Sequence, residues 1–344
     1  MALTKIQIDN FVVFNHMEVI PCKGINVIIG KNGLGKTQLL KAIYADIDIS
    51  NNENKIDFAD YFKLGESNDF LIANKGERDL SIELVDDTDG QETVGHRVQL
   101  TLVMRKHSNG DITASDEYNI SLTKFKKPIS TIFLPVKDML THAKGLLSMG
   151  VKYREFPFDR TLTDVIRLAN QWTLKEPPTL ALNILPMLEN IINGTIEIAN
   201  EEFFVRKHDG SLVNFAVEAE GFKKIGLLWQ LLMNESITKD SILLWDEPEA
   251  NLNPEYLPII VECLLELSRH GVQIFVSTHN YLFAKYFDVR KKDGDDVAYH
   301  ALYQDEEDVV CCEKADRFDE LKHNAIMDAY NKLLDEVYGL QVGE

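Results

Sequence analysis

Residues 25–37 run Ile25-Asn26-Val27-Ile28-Ile29-Gly30-Lys31-Asn32-Gly33-Leu34-Gly35-Lys36-Thr37, and few folds accommodate such a run. A largely β-branched, apolar stretch leads into Gly30. The spacing G-x-x-x-x-G-K-T follows, and Gln38-Leu39-Leu40-Lys41-Ala42-Ile43 continues with helical periodicity. A strand, a glycine-rich loop and a helix start, in that order, are the setting of a phosphate-binding P-loop. Glycines at 30, 33 and 35 let successive backbone N–H groups turn toward one centre. The helix start adds unpaired N–H groups and a dipole that favours an anion. Gly30, Lys31, Asn32, Gly33, Leu34, Gly35, Lys36, Thr37 and Gln38 are therefore the candidate nucleotide-binding residues. Lys36 brings a point charge to the β- and γ-phosphates, and the Thr37 hydroxyl is a candidate Mg²⁺ ligand.

A second constellation lies about 200 residues downstream. Ser241-Ile-Leu-Leu-Trp-Asp246-Glu247-Pro248 places two carboxylates at the end of a short apolar strand. A strand-ending acidic turn would read the same way by itself. Paired with a P-loop in an α/β pattern, Asp246 is expected to hold Mg²⁺ opposite Thr37, and Glu247 to act as general base toward the attacking water. Phe275-Val276-Ser277-Thr278-His279 then puts a histidine at the end of the next strand, where a parallel sheet gathers its ligand contacts. Glu247 and His279 are the candidate catalytic residues.

The rest of the chain fits around these motifs. Strands are expected at Thr4–Asp9 and Met17–Ile20, a helix at Thr37–Tyr44, and a polar loop from Asp46 to Lys55. Alternating segments at Ser81–Val85, His96–Arg105, Asp116–Leu122 and Ser130–Pro135, with Asp89-Gly90 and Asn109-Gly110 as turns, predict a small antiparallel lobe. Helices follow at Leu162–Thr173 and Pro178–Ile192. Next come a hairpin at Gly194–Ala199 and Glu202–Lys207, helices at Glu220–Met233 and Pro254–His270, a strand at Gln273–Ser277, and a helix at Tyr281–Phe287. Residues 297 to 313 read as a hairpin and Arg317–Tyr338 as a closing helix. The expectation is an α/β P-loop NTPase in one domain. Residues 1–48 and 236–295 would form the nucleotide-binding core, 49–135 an antiparallel β lobe inserted after the P-loop helix, 136–235 a helical lobe, and 296–344 a C-terminal hairpin and helix.

Charge and cysteines narrow the partners. The 344 residues carry a formal net charge of −19, which repels nucleic acid in bulk and disfavours it as a partner. No apolar run approaches the ~20 residues of a membrane span, and the first residues alternate like a strand. A soluble cytoplasmic chain without membrane partners is the expectation. Cys22, Cys263, Cys311 and Cys312 are not spaced for zinc and are expected to be reduced.

The motifs together resemble a family. Gly30–Thr37, Leu244-Trp-Asp246-Glu247-Pro248 with Glu249-Ala250-Asn251-Leu252, and Ser277-Thr278-His279 look like the Walker A, Walker B, D-loop and switch histidine of ABC-type ATPases. They are most similar to the OLD-like, RecF-like and SMC-like branch that does not serve transporters. Ile6-Gln7-Ile8-Asp9-Asn10-Phe11 resembles that branch's first strand. The resemblance implies a mixed sheet, hydrolysis of ATP with Mg²⁺, and a nucleotide sandwiched between two protomers of a homodimer or higher oligomer. In such a sandwich a signature loop from the partner completes each site. Here the matching segment contains Ala219, Glu220 and Gly221, with alanine in place of the usual serine and glutamate in place of glycine. Glu220 would repel phosphate unless it points away or is neutralised by Lys223 or Lys224. No glutamine follows the Ile132–Pro135 strand, where the family places its Q-loop; Lys137 and Asp138 stand there.

The resemblance also implies what is missing. No sustained heptads or C-x-x-C hook match SMC-like relatives, and the chain after His279 is too short for the Toprim nuclease of OLD proteins. Stand-alone ATPases of this kind resemble subunits of bacterial anti-phage systems, in which the ATPase controls a separately encoded effector, a nuclease or toxin. The alternatives are a RecF-like DNA-repair ATPase regulated by DNA, an ATP-binding scaffold with very slow turnover, and a transporter subunit. The last would normally keep a serine-bearing signature and a glutamine Q-loop.

Overall fold

A computed structural model describes residues 2–52, 58–62, 79–87, 93–106, 112–123, 125, 127–152 and 158–339. The strands are β1 (Leu3–Phe11), β2 (Phe14–Val19), β3 (Ile25–Gly30), β4 (Asp79–Asp86), β5 (Thr93–Lys106), β6 (Ile112–Thr123), β7 (Thr131–Leu134), β8 (Gly194–Ala199), β9 (Glu202–Lys207), β10 (Leu212–Asn214), β11 (Ile242–Asp246), β12 (Gln273–Ser277), β13 (Val297–Gln304) and β14 (Val310–Ala315). The helices are α1 (Lys36–Asn51), α2 (Leu146–Lys152), α3 (Arg160–Ala169), α4 (Leu185–Ile192), α5 (Glu220–Met233), α6 (Leu257–Arg269), α7 (Tyr281–Arg290) and α8 (Ala325–Val337). The turns at Asp89-Gly90 and Asn109-Gly110 lie outside the described residues.

Among the described residues the strands form three sheets. The principal one is mixed, in the order β14-β13-β3-β12-β11-β7, parallel throughout except for the antiparallel edge strand β14. Inside the edge strand β14 its strands are buried on both faces and alternate between two cores, as period-two side chains must. Ile25, Val27, Ile29, Leu243, Trp245, Ile274 and Val276 pack against the helical side with α3 to α7. Ile28, Ile242, Leu244 and Phe275 pack against α1 and the antiparallel sheet β2-β1-β4-β5-β6. Helix α1 is thus enclosed between two sheets, with Leu39, Leu40, Ile43 and Ile47 all inaccessible. The third sheet, β10-β9-β8, lies in the helical lobe.

Several expectations change. Strands β1 and β2 join the antiparallel sheet through β4 instead of the nucleotide-binding core. The antiparallel lobe is thus not a simple insertion, and β7 leaves it for the edge of the principal sheet beside β11. The C-terminal hairpin extends the nucleotide-binding sheet: β13 lies parallel to β3, one strand in from the edge. Helix α1 continues through Asp46–Asn51, where the sequence predicts a polar loop. Its polar residues find distant partners: Tyr61 Oη donates to Asp48 at 2.6 Å, Arg160 Nε to Asp48 at 2.9 Å, and Asn51 Nδ2 to the Ile129 carbonyl at 2.8 Å. Finally, the closing helix starts at Ala325, not Arg317. Asn324 caps it by accepting from Met327 N at 3.1 Å, while the Glu313 carboxylate holds the Lys322 and His323 N–H groups in a turn.

Buried side-chain amides stitch the layers together. Gln273 of β12 bonds both backbone groups of Leu3, accepting at 2.8 Å and donating at 2.9 Å, and so ties the two large sheets. Asn26 of β3 accepts from Cys22 N at 2.8 Å and lies 3.0 Å from Nε2 of the buried His300 on β13. All four cysteines are free, and no helix among the described residues is long and apolar enough to cross a membrane.

Burial, with a smaller push from Lys314, lowers the His300 pKa to about 3. Its unfolded value is about 6.5, so the unfolded chain binds the extra proton first and stability is lost as pH falls from 6.5 toward 3. His300→Gln keeps a donor for Asn26 and removes this titration. Its unfolding free energy, measured in urea at pH 7 and pH 5, is expected to fall less than that of the unaltered chain, by up to roughly 1.4 kcal/mol per pH unit.

Candidate functional site

The principal sheet places three motif-bearing strand ends side by side. Asp246 is the register partner of Ser277, and Ser277 that of Ile28 near the end of β3. The loop after Gly30, the Asp246-Glu247 turn and the segment after Ser277 therefore share one carboxyl edge.

The loop itself is shaped by backbone and packing together. Gly30, Gly33 and Gly35 have φ of 148°, 84° and 86°. Gly35 sits beneath the β1–β2 turn, where a Cβ would lie 2.5 Å from Phe14 Cζ and 2.7 Å from Val13 Cγ2. Leu34 is buried in the core below, while Lys31, Asn32 and Gly33 face solvent. Lys36 Nζ donates to the Gly30 carbonyl at 2.9 Å and the Lys31 carbonyl at 3.0 Å, closing the loop on itself. Burial lowers the Lys36 pKa to about 8, against the opposing pull of Glu247, Asp246 and Glu249. Gln38 lies in the first turn of α1.

Thr37 Oγ1 donates to Asp246 Oδ2 at 2.8 Å, across 209 residues of chain. Ser277 Oγ donates a short hydrogen bond to the other oxygen, Oδ1. A buried carboxylate is thus satisfied on both oxygens. A hydroxyl and a carboxylate in contact beside a phosphate loop are a hard-oxygen donor set that fits Mg²⁺. Glu247 follows with a left-handed backbone, φ 46°. Its N–H is held by Ser277, through the carbonyl at 3.1 Å and Oγ at 3.2 Å. Its carboxylate lies 3.5 Å from His279 Nε2. Burial, then Lys36, lowers the His279 pKa, so the ring favours its neutral form.

Lys36, Thr37, Asp246, Glu247 and His279 are therefore gathered at one place. Ala219 caps α5 and Glu220 and Gly221 begin it, against the 247–251 turn. The exposed Glu220 carboxylate is paired with Lys223 Nζ at 2.6 Å. Gly221 packs against the D-loop of its own chain, with no space for a Cβ: Asn251 O would be 2.5 Å away. At the Q-loop position Asp138 caps the following turn, accepting from Leu140 N at 2.9 Å, and lies 3.9 Å from Lys223.

Some contributors were not assigned from the sequence. Ser277 holds both Asp246 and the Glu247 N–H, a role its place in the Ser277-Thr278-His279 motif does not reveal. Glu249 is largely buried and accepts from Thr278 Oγ1 at 2.6 Å and from the His279 N–H at 3.2 Å, so it sets the backbone that carries His279. Its other oxygen is buried without a partner, and burial raises its pKa. Lys224 donates to the Glu247 carbonyl at 2.9 Å. The adjacent Glu247-Pro248-Glu249 and Ser277-Thr278-His279 were the available signals.

Residues 86–284 match the family described as "AAA domain, putative AbiEii toxin, Type IV TA system". The chain belongs to that ATPase family. Residues 5–163, which include the P-loop, also match a second AAA domain family. The ATPase shares 50% identity over 44 residues with the DNA replication and repair protein RecF of Shewanella sp. (strain W3-18-1), and 41% over 44 residues with that of Desulforudis audaxviator. Each stretch covers 13% of this chain and only 12% of the RecF chain. Solved structures with a similar fold include an Smc head bound to the C-winged helix domain of ScpA, with a TM-score of 0.55, 13% identity, and 94% of this chain and 100% of that chain covered. Another is the Smc head with an extended coiled coil from Pyrococcus furiosus, at 0.52 and 10%, covering 98% and 99%. The fold is that of a P-loop ABC-type ATPase, and such ATPases use Mg²⁺ with ATP.

The loop geometry separates two glycines. Gly33→Ala adds a methyl with nothing within 4 Å and meets only the backbone penalty of a positive φ, roughly 1 kcal/mol. Gly35→Ala meets the same penalty plus the clash with Phe14 and Val13, for a total of about 2–4 kcal/mol. Urea midpoints are expected to fall in that order.

Proposed function

We propose that this ATPase is a nucleotide-dependent dimerisation switch that controls a separately encoded partner. The observation that carries the reading is the convergence of Thr37, Asp246, Glu247 and His279 beside the P-loop. Gly30–Gln38 would bind the ATP phosphates, with Lys36 moving from the Gly30 and Lys31 carbonyls to the β- and γ-phosphates. Thr37 and Asp246 would hold Mg²⁺, which when bound offsets negative charge on the phosphate oxygens. Glu247 would take the proton of the attacking water. Neutral His279, aligned by Glu249, would donate to the γ-phosphate.

The N-terminus of α5 presents Ala219 and Glu220 at the surface, with Gly221 buried just behind them. A second copy would supply this end to the nucleotide in trans. With Ala219 lacking a hydroxyl, backbone N–H groups would make that contact, and the Lys223 pair would reduce the repulsion from Glu220. The assembly of a similar Smc head with a ScpA domain makes a protein partner a reasonable reader of the closed state. The effector is proposed to be a nuclease or toxin in anti-phage defence, on the resemblance to stand-alone ATPases of such systems. The short RecF similarity supports a second reading, a DNA-regulated repair ATPase. DNA binding that weakens steeply with salt would favour it.

Glu247→Gln is expected to lower turnover by roughly 10²–10⁴-fold, to keep ATP binding, and to accumulate a dimer. Steady-state hydrolysis and light scattering with and without Mg·ATP test this. Turnover at the unaltered rate would remove Glu247 from the chemistry, and a mass unchanged by ATP would remove the switch.

A further inference from the structure

Glu247 has a backbone problem that its own strand cannot solve. A non-glycine residue at φ 46° persists only where its surroundings over-determine it. Its N–H side is fixed by Ser277 on β12. Its carbonyl side is fixed by a different element: Lys224 Nζ of α5, at 2.9 Å. Lys224 is only 6% exposed. An aliphatic side chain would fill that place on the packed face of α5 without the cost of burying an ammonium. Burial lowers the Lys224 pKa, against the opposing pull of Glu249, Glu247, Asp246 and Glu220. One turn earlier on α5, Gly221 presses on the Asn251 carbonyl with no slack. Helix α5 therefore meets the 247–251 turn at two points, Lys224 on the Glu247 carbonyl and Gly221 on the Asn251 carbonyl.

We infer that Lys224 is a positioning residue for ATP hydrolysis: it fixes the Glu247 backbone and links the placement of α5 to the aim of the general base. This rests on the function proposed above, in which the start of α5 engages the nucleotide of a second copy. Engagement of one site then sets Glu247 in the other site of the dimer, through a single hydrogen bond. Lys223, its neighbour, is occupied by Glu220 and does not reach Glu247.

The test uses the full chain with Lys224→Met, which removes the donor, and Lys224→Arg, which displaces it while keeping the charge. Turnover, affinity for a fluorescent ATP analogue and melting temperature are measured beside Glu247→Gln. Lys224→Met is expected to lose at least roughly tenfold in kcat with nucleotide Kd within about threefold of the unaltered chain, and Lys224→Arg to recover part of that loss. Should Lys224→Met fail to fold, Lys224→Arg alone decides: reduced kcat at unchanged Kd supports the inference. Unaltered kcat in either folded variant, or a fall in kcat that follows lost affinity or lost fold, overturns it. If Glu247→Gln still turns over normally, the proposed function fails and this inference fails with it; if Glu247→Gln is inactive while Lys224→Met is not, only the inference fails.

Discussion

The site depends on one buried carboxylate. Asp246 ends β11 at 3% exposure, and its charge is tolerable there because Thr37 and Ser277 satisfy both oxygens. Those two hydroxyls come from the P-loop helix and the neighbouring strand, so a single side chain joins three segments distant in sequence. Removing either donor would leave part of a buried charge unpaired, which costs more than the bond itself is worth. The same oxygens that hold the fold together are the ones a divalent cation would use.

Around this centre the neighbouring carboxylates have different surroundings, and that divides their work. Asp246 is enclosed by hydroxyls, Glu247 is partly open and faces a histidine, and Glu249 is buried against the backbone of His279. Lys36 at the start of α1 and Lys224 on α5 both balance this acidic group. An acidic chain of net charge −19 can therefore hold a polyanion only because its cations and N–H groups are concentrated at one sheet edge.

Local physics made the site legible and left the architecture obscure. Gly30–Thr37 carries its own strand, turn and helix start, and β12 was read with its observed limits because an apolar run between Gly271 and the Ser277-Thr278 end has little freedom. Pairing between distant strands has no such local signature. Nothing in Leu3–Phe11 announces β4 as its neighbour, and nothing in Val297–Gln304 announces a place beside the P-loop strand. The acidic end of α1 misled for a related reason: Asp48 and Asn51 look like loop residues until Tyr61, Arg160 and Ile129 are brought to them. From the sequence Lys224 reads only as a counter-charge to Glu220, because its bond to a backbone carbonyl leaves no trace there.

The most direct measurement of the central claim is an experimental structure of the full chain carrying Glu247→Gln with Mg·ATP. The account predicts phosphates along Gly30–Thr37, the cation between Thr37 and Asp246, and the γ-phosphate beside His279 with the start of a second copy's α5 against it. A nucleotide bound elsewhere, or a cation that Asp246 does not touch, would contradict it.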